Sequence, residues 1–95
     1  MFSDEFTILL HRQFIKKSKK LRLSESYAKK IKAIFSILKF DPIPWRNFDI
    51  RKIEGGKNIY RIRIGNIRIT YELFLAEFLI KVRHICFRGK AYKRK

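Results

Sequence analysis

Residues 59–73 read IYRIRIGNIRITYEL, and this stretch decides the fold. Apolar and polar side chains alternate on both sides of Gly65-Asn66, a pair typical of a two-residue β-hairpin turn that begins with glycine. A turn of this length places Ile64 opposite Ile67, and the pairing continues outward along both strands. Successive side chains point to opposite faces of a strand, so we expect one apolar face and one polar face. The apolar core face is predicted to carry Tyr60, Ile62, Ile64, Ile67, Ile69 and Tyr71, and the other face Arg61, Arg63, Arg68 and Thr70.

The polar face of this hairpin carries three arginines with no acid among them. The predicted register puts Arg63 directly opposite Arg68, where like charges destabilise a sheet. Guanidinium groups suit a phosphate because each can donate two parallel hydrogen bonds. The cluster therefore favours a phosphate-binding site, and the alternative is an ordinary solvated face of an antiparallel sheet.

The segments around the hairpin predict the rest of the architecture. Ser24 is a good helix N-cap, and the helix after it ends before Pro42, since the residue preceding a proline avoids the α conformation. In the shorter helix that comes first, Phe14 and Ile15 are expected to point inward. The predicted elements are a strand at 6–10, helices at 11–20 and 24–40, a weak strand at 48–53, hairpin strands at 59–64 and 67–73, and a last strand at 78–87. This order predicts an α+β fold in a single domain over residues 1–95, with an N-terminal strand and two helices packed on a twisted antiparallel sheet.

A second hairpin is predicted near Ala76-Glu77, and its register decides which way the last strand faces. With these two residues as the loop, Thr70 faces Arg83, and His84 and Cys86 join the core face. His84 is therefore interpreted as a core histidine and not as a catalyst, and Cys86 as a small core residue.

The composition points to a polyanionic partner. Of the 95 residues, 24 are Lys or Arg and 8 are Asp or Glu, so the formal charge is +16. Such an excess favours nucleic acid as the partner, ahead of an acidic protein or an anionic membrane surface. The sequence shows no metal-ligand spacing and no glycine-rich phosphate loop, and we expect neither a metal nor a cofactor.

The same sequence predicts a cytoplasmic protein. A single cysteine rules out a disulfide within the chain and favours a reducing compartment. The apolar runs are too short to span a bilayer. The N-terminus lacks the basic start of a signal peptide. We therefore expect no membrane partner.

Two segments resemble the RelE/ParE superfamily of toxins from toxin–antitoxin pairs. Residues 53–73, IEGGKNIYRIRIGNIRITYEL, resemble its glycine-containing turn, its Tyr-Arg-Ile-Arg strand and its returning strand with a late tyrosine. Residues 85–92, ICFRGKAY, resemble its closing strand, with a late arginine and a tyrosine four residues on. The element order agrees along nearly the whole chain, and the RelE-type messenger RNA interferases are the most similar branch.

The resemblance implies a ribonuclease that cleaves messenger RNA in the ribosomal A site. In this reaction a ribose 2′-hydroxyl attacks the adjacent phosphate without a metal ion. The arginines of the site would hold the phosphate and offset its growing charge, and a tyrosine would stack on a base or transfer a proton. The positions that match the family pattern are Arg61, Arg63, Arg68, Arg88 and Tyr92, and further RNA contacts are expected at Lys57, Arg83, Lys90 and Lys93. The implied partners are the ribosome, messenger RNA and a cognate antitoxin.

The chain departs from the family pattern in two ways. Relatives often have lysine where this chain has Arg61 and Arg63, and many have histidine where it has Phe87. Arginine hardly ever loses its proton, so the matched arginines do not supply the general base. Two other functions stay open, a ParE-like inhibitor of DNA gyrase and a basic RNA- or ribosome-binding module without catalysis.

Overall fold

In the part of the chain that the structure describes, five strands form one sheet and two helices pack against it. The structure is a computed structural model, and it describes residues 5–53, 55 and 57–87. In chain order the elements are β1 (Thr7–Leu10), α1 (Arg12–Leu21), α2 (Glu25–Leu38), β2 (Asp49–Lys52), β3 (Ile59–Ile64), β4 (Ile67–Phe74) and β5 (Leu79–Phe87). The strand order across the sheet is β1-β5-β4-β3-β2.

The predicted α+β fold class is confirmed, and the sheet is mixed. Neighbouring strands from β2 to β5 pair antiparallel, as predicted. β1 joins β5 in parallel, with Thr7 opposite Leu79 and Leu10 opposite Val82. A sequence pattern identifies these two segments as strands, but only tertiary packing brings the first strand beside the last.

The hairpin at the centre of the sheet has the predicted register. All five predicted cross-strand pairs of β3 and β4, from Ile64 opposite Ile67 to Tyr60 opposite Tyr71, are present. Gly65 turns the chain with a φ of 57°, in the left-handed region that glycine adopts without a Cβ clash. The fully buried side chains of the sheet, below 2% exposure, are Ile62, Ile67, Ile69, Tyr71, Ile80, Val82 and Ile85.

Both helices begin at capped N-termini. His11 Nδ1 accepts a hydrogen bond from the backbone N–H of Gln13 at 3.0 Å, and Ser24 Oγ accepts one from the N–H of Tyr27 at 3.2 Å. The predicted cap at Ser24 is thus confirmed. One apolar stripe of α2 packs on the core, with Ile31, Ile34 and Leu38 buried and Tyr27 and Phe35 half-buried.

The inward direction predicted for Ile15 is wrong. Phe14 is buried, but Ile15 is 38% exposed. Neighbouring residues on a helix point about 100° apart, so the narrow face that α1 turns to the core buries only one of them.

A buried tyrosine ties the loop after α2 to the sheet. Tyr71 is fully buried, and its hydroxyl donates a hydrogen bond to the carbonyl of Pro42 at 2.7 Å. Its ring stacks on Tyr60, with 5.9 Å between the ring centroids. Burial, aided by Tyr60 and Asp41, raises the pKa of Tyr71 well above the usual tyrosine value.

A second tyrosine fastens the central turn to α2. The Tyr27 hydroxyl oxygen accepts a hydrogen bond from the N–H of Asn66 at 3.2 Å. A Cβ atom at Gly65 would lie 2.9 Å from that oxygen. The glycine therefore meets two requirements, a positive φ and a close approach of the helix.

Within residues 5–53, 55 and 57–87, no helix is long and apolar enough to cross a membrane.

We predict that Gly65→Ala lowers the free energy of unfolding by more than Gly55→Ala does. Gly55 also has a positive φ, of 86°, but a Cβ atom added there would meet no atom of the described residues within 4 Å. Each variant should lose about 1 kcal/mol through backbone strain, and Gly65→Ala should lose more through contact with Tyr27. Urea unfolding measures both losses. Equal losses would show that the Tyr27 side chain moves away from the added methyl group without lowering the free energy of unfolding.

Tyr71→Phe should lower the free energy of unfolding by about 1 kcal/mol at neutral pH, because the hydrogen bond to Pro42 is lost. The raised pKa means that folding favours the neutral phenol. The contribution of the neutral Tyr71 phenol to the free energy of unfolding is fully present below the usual tyrosine pKa of 10.0. It is lost as the pH rises above that value. The difference in free energy of unfolding between the wild type and Tyr71→Phe should therefore become smaller in alkaline solution. Urea unfolding at a series of pH values checks this, and a constant gap would contradict it.

Candidate functional site

Four arginines line a shallow pocket on the face of the sheet that carries the predicted cluster. Its volume is about 120 Å³, and β2, β3 and β4 supply its walls. The lining residues are Asp49, Arg51, Arg61, Arg63 and Arg68. We call the space that these five residues line the arginine pocket. The predicted meeting of Arg61, Arg63 and Arg68 is therefore present in the structure.

The pocket contains an acid, so the prediction of an acid-free cluster is wrong. Asp49 lies opposite Arg63 in the sheet, and its Oδ2 atom is 3.1 Å from Arg63 Nη2. Both side chains are 43% exposed, and such an ion pair stabilises the fold by less than about 1 kcal/mol. Among the described lining residues, four arginines and one aspartate still leave a formal charge of +3.

Arg51 is a pocket residue that the sequence prediction missed. It lies opposite Arg61 in the sheet. The strand that carries it was predicted only as a weak strand, with no register assigned to it. The alternation of Asp49, Ile50 and Arg51 was the signal, because it places the acid and the arginine on one face.

A β-bulge reverses the predicted side-chain directions in β5 beyond Val82. Tyr71 lies opposite Val82, but Thr70 lies opposite His84, so Arg83 is an extra residue in β5. The prediction that Thr70 faces Arg83 is therefore wrong, and Ile85 takes the core position, with no exposed surface.

The bulge moves the histidine and the cysteine of β5 out of the core. His84 is exposed, and Cys86 is a half-buried free cysteine. Cys86 lies opposite Arg68. Both residues were predicted to face the core, and that prediction is wrong because strict alternation fails at a bulge.

Cross-strand pairing thus aligns one row of side chains across four strands. Arg51 lies opposite Arg61, Arg61 opposite Thr70, and Thr70 opposite His84. A short threonine separates a guanidinium group from an imidazole in this row.

The remaining predicted site residues do not line the arginine pocket or lie outside the described residues. Arg83 Nη1 lies 2.6 Å from Glu72 Oε1, which holds its guanidinium group in an ion pair. Lys57 is exposed in the turn that precedes β3. The predicted residues Arg88, Lys90, Tyr92 and Lys93 lie outside the described residues. In the part of the chain that the structure describes, no three His, Cys, Asp or Glu side chains are grouped to hold a metal ion.

The comparison with protein families decides the relationship. The model described as "ParE toxin of type II toxin-antitoxin system, parDE" matches residues 8–85. The chain belongs to the ParE/RelE family of type II toxins. The resemblance inferred from the central hairpin is therefore confirmed.

Archaeal proteins of this family are similar to the chain over nearly its whole length. A Methanocaldococcus jannaschii protein that carries the toxin name RelE1 is 36% identical over 89 residues, which cover 94% of this chain and 97% of that protein. A toxin chain from the RelE–RelB complex of Pyrococcus horikoshii OT3 is 26% identical, with a TM-score of 0.79, and the match covers 90% of this chain and 98% of that one. The RelB–RelE antitoxin–toxin complex of Methanococcus jannaschii contains a chain that is 31% identical, with a TM-score of 0.72 and coverages of 88% and 94%.

We predict that the protein binds RNA through this pocket and that Asp49→Asn raises its affinity. The carboxylate holds Arg63 in an ion pair, so its removal would release that guanidinium group for a phosphate and raise the positive charge of the pocket. We expect a gain of about 2- to 5-fold in affinity for a short labelled RNA, the equivalent of a weak surface ion pair. Fluorescence anisotropy at fixed salt measures it.

Glu77→Gln is the matched control for this variant. Glu77 is exposed in the loop between β4 and β5 and does not line the pocket, so its loss changes the net charge equally but should leave the affinity nearly unaltered. An equal gain in both variants would show that net charge, and not the pocket, controls binding.

Proposed function

We propose that this family toxin is a ribosome-dependent endoribonuclease that cleaves messenger RNA in the A site without a metal ion. The observation that carries the proposal is the arginine pocket, in which four guanidinium groups from three neighbouring strands line one space. The residues 1–95 would form one toxin domain, and its place of action would be the cytoplasm, where ribosomes translate.

The pocket suits the transition state of phosphodiester cleavage. When a ribose 2′-oxygen attacks the adjacent phosphorus, negative charge grows on the phosphate oxygens. Donors that are already aligned stabilise this charge without reorganising. Arg61 and Arg68 are half-buried, which restricts their motion and reduces screening by water, so we assign them to the scissile phosphate. Arg63 would leave Asp49 and turn to the same phosphate.

Two more residues enter the proposal through the family resemblance. Arg88 would help to offset charge at the phosphate or on the leaving oxygen. Tyr92 would stack on a base or take part in proton transfer. The contacts proposed for Lys57, Arg83, Lys90 and Lys93 extend the same RNA-binding surface beyond the pocket.

The helices offer a second basic surface that suits a large RNA partner. The sequence of α1 contains five cations and no acid, and that of α2 contains three lysines and one acid. The lysines are Lys16, Lys17, Lys19, Lys20, Lys29, Lys30 and Lys32. Because they belong to the helices and the pocket belongs to the sheet, the protein can contact RNA phosphates on both, as a ribosomal site would require.

We also propose a cognate antitoxin as a partner. The similar archaeal toxins were solved in complexes with RelB. A chain with a formal charge of +16 requires charge complementarity from such a partner, so the antitoxin segment that covers the arginine pocket should be acidic.

A second candidate function is inhibition of DNA gyrase without RNA cleavage. The family model that matches residues 8–85 bears the name ParE, and that observation keeps the candidate open. The arginine pocket favours the ribonuclease, since a pure inhibitor does not require guanidinium groups arranged around one phosphate.

We predict that Arg61→Ala reduces messenger RNA cleavage on programmed ribosomes by at least about 100-fold, the usual loss when one preorganised donor is removed. Arg46→Ala is the matched control, because it removes the same charge from an exposed position outside the pocket. Cleavage is read by primer extension, and urea unfolding shows that both variants are folded. Arg61→Ala/Arg68→Ala should abolish cleavage.

Cleavage by the wild type that is insensitive to Arg61→Ala would contradict the assigned site. Absence of cleavage by the wild type would contradict the ribonuclease itself. In that case inhibition of gyrase supercoiling distinguishes the second candidate from a basic binding module.

A further inference from the structure

We propose that His84 is the general base that takes the proton from the attacking 2′-hydroxyl. The proposal rests on the proposed ribonuclease function and adds the group that arginine chemistry cannot supply, since guanidinium groups stay protonated. The observation behind it is the β-bulge in β5, which turns His84 from the core to the face of the arginine pocket.

The row of paired residues fixes the distance between the proposed phosphate-binding and proton-accepting groups. Thr70 lies between Arg61 on β3 and His84 on β5. Neighbouring strands are about 4.8 Å apart, so the backbones of Arg61 and His84 are on the order of 10 Å apart. Two longer side chains flank the short Thr70 in this row, and in the proposal the ribose lies above Thr70, between the phosphate-binding and proton-accepting groups.

The other groups near this row are engaged elsewhere. Glu72 on β4 is held by Arg83, and Asp49 on β2 is held by Arg63. Cys86 is half-buried beside Arg68. β1 pairs with β5 only as far as Val82, and the residue that follows β1, His11, donates its backbone N–H to the Val82 carbonyl at 2.8 Å. His11 is thus a titratable residue on this edge of β5, and its Nδ1 atom accepts the N–H of Gln13.

The second histidine of the chain has a structural role. His11 Nδ1 caps α1 by accepting the Gln13 N–H at 3.0 Å. His84 is therefore the exposed imidazole that lies in the same row as the pocket arginines.

The neutral imidazole of His84 accepts the proton of the 2′-hydroxyl, the 2′-oxygen forms a bond to phosphorus, and the bond from phosphorus to the 5′-oxygen breaks. The products are a 2′,3′-cyclic phosphate and a 5′-hydroxyl, whose oxygen takes a proton from water. The imidazolium then returns its proton to the hydroxide that this leaves, and the arginines offset the phosphate charge throughout.

The test is single-turnover cleavage on programmed ribosomes by the wild type, His84→Ala and His11→Asn, across a range of pH. We expect His84→Ala to cleave about 10²- to 10⁴-fold more slowly, the usual contribution of a general base, while its affinity for the ribosome is unchanged. The wild-type rate should fall on the acid side with a slope of one, and His84→Ala should lose this dependence. Added imidazole should restore cleavage by His84→Ala in proportion to its neutral fraction. His11→Asn keeps an N-cap residue and should cleave like the wild type.

The outcomes separate this proposal from the proposed function. Wild-type cleavage that depends on Arg61 but not on His84 would overturn the base and leave the ribonuclease intact. A wild-type rate that falls on the alkaline side instead would overturn the base by assigning His84 as an acid. A loss in His84→Ala without imidazole rescue, accompanied by weaker ribosome binding, would assign a binding role and overturn the base as well. Absence of any wild-type cleavage would overturn both proposals.

Discussion

The register of the central hairpin is the constraint on which the rest of the molecule depends. A two-residue turn at Gly65-Asn66 leaves one possible pairing of β3 and β4. A slip of either strand by one residue would turn the arginines of that strand toward the core. Tyr27 secures this turn from α2 through its hydrogen bond to Asn66 and its contact at Gly65. The helix that covers the core thus also holds the turn that fixes the pocket.

The arginine pocket places like charges on neighbouring strands, and the opposite face of the same strands carries the compensating stabilisation. Ile62, Ile67 and Ile69 are fully buried beneath the arginines, and such side chains each contribute on the order of 2 kcal/mol by burial. Cross-strand repulsion between exposed charges is smaller than this. A sheet with one apolar face can therefore keep a strongly basic face folded, ready for a polyanion, with Asp49 as the one acid of the pocket.

The chemistry that we propose for this toxin depends on a departure from regular strand geometry. A regular β5 would bury His84 and expose Ile85, whereas one extra residue at Arg83 exchanges them. The bulge keeps apolar side chains in the core on both sides of it, with Val82 before and Ile85 after. It also puts an imidazole on a face that otherwise offers guanidinium groups, which bind phosphate but do not move protons at neutral pH. In the proposed reaction, phosphate binding and proton transfer thus use different strands of one sheet.

The sequence alone determined the hairpin register, the helix cap at Ser24, the α+β order and the meeting of Arg61, Arg63 and Arg68. Turn chemistry, capping and side-chain alternation are local properties of the chain. Tertiary structure decided the parallel pairing of β1 with β5 and the register of β2, which brought Asp49 and Arg51 into the pocket. It also decided the outward direction of His84. The physical reason is the same in each case. The way in which apolar side chains fill one shared core decides which distant strands pair and where an extra residue enters a strand. No short stretch of sequence contains that information.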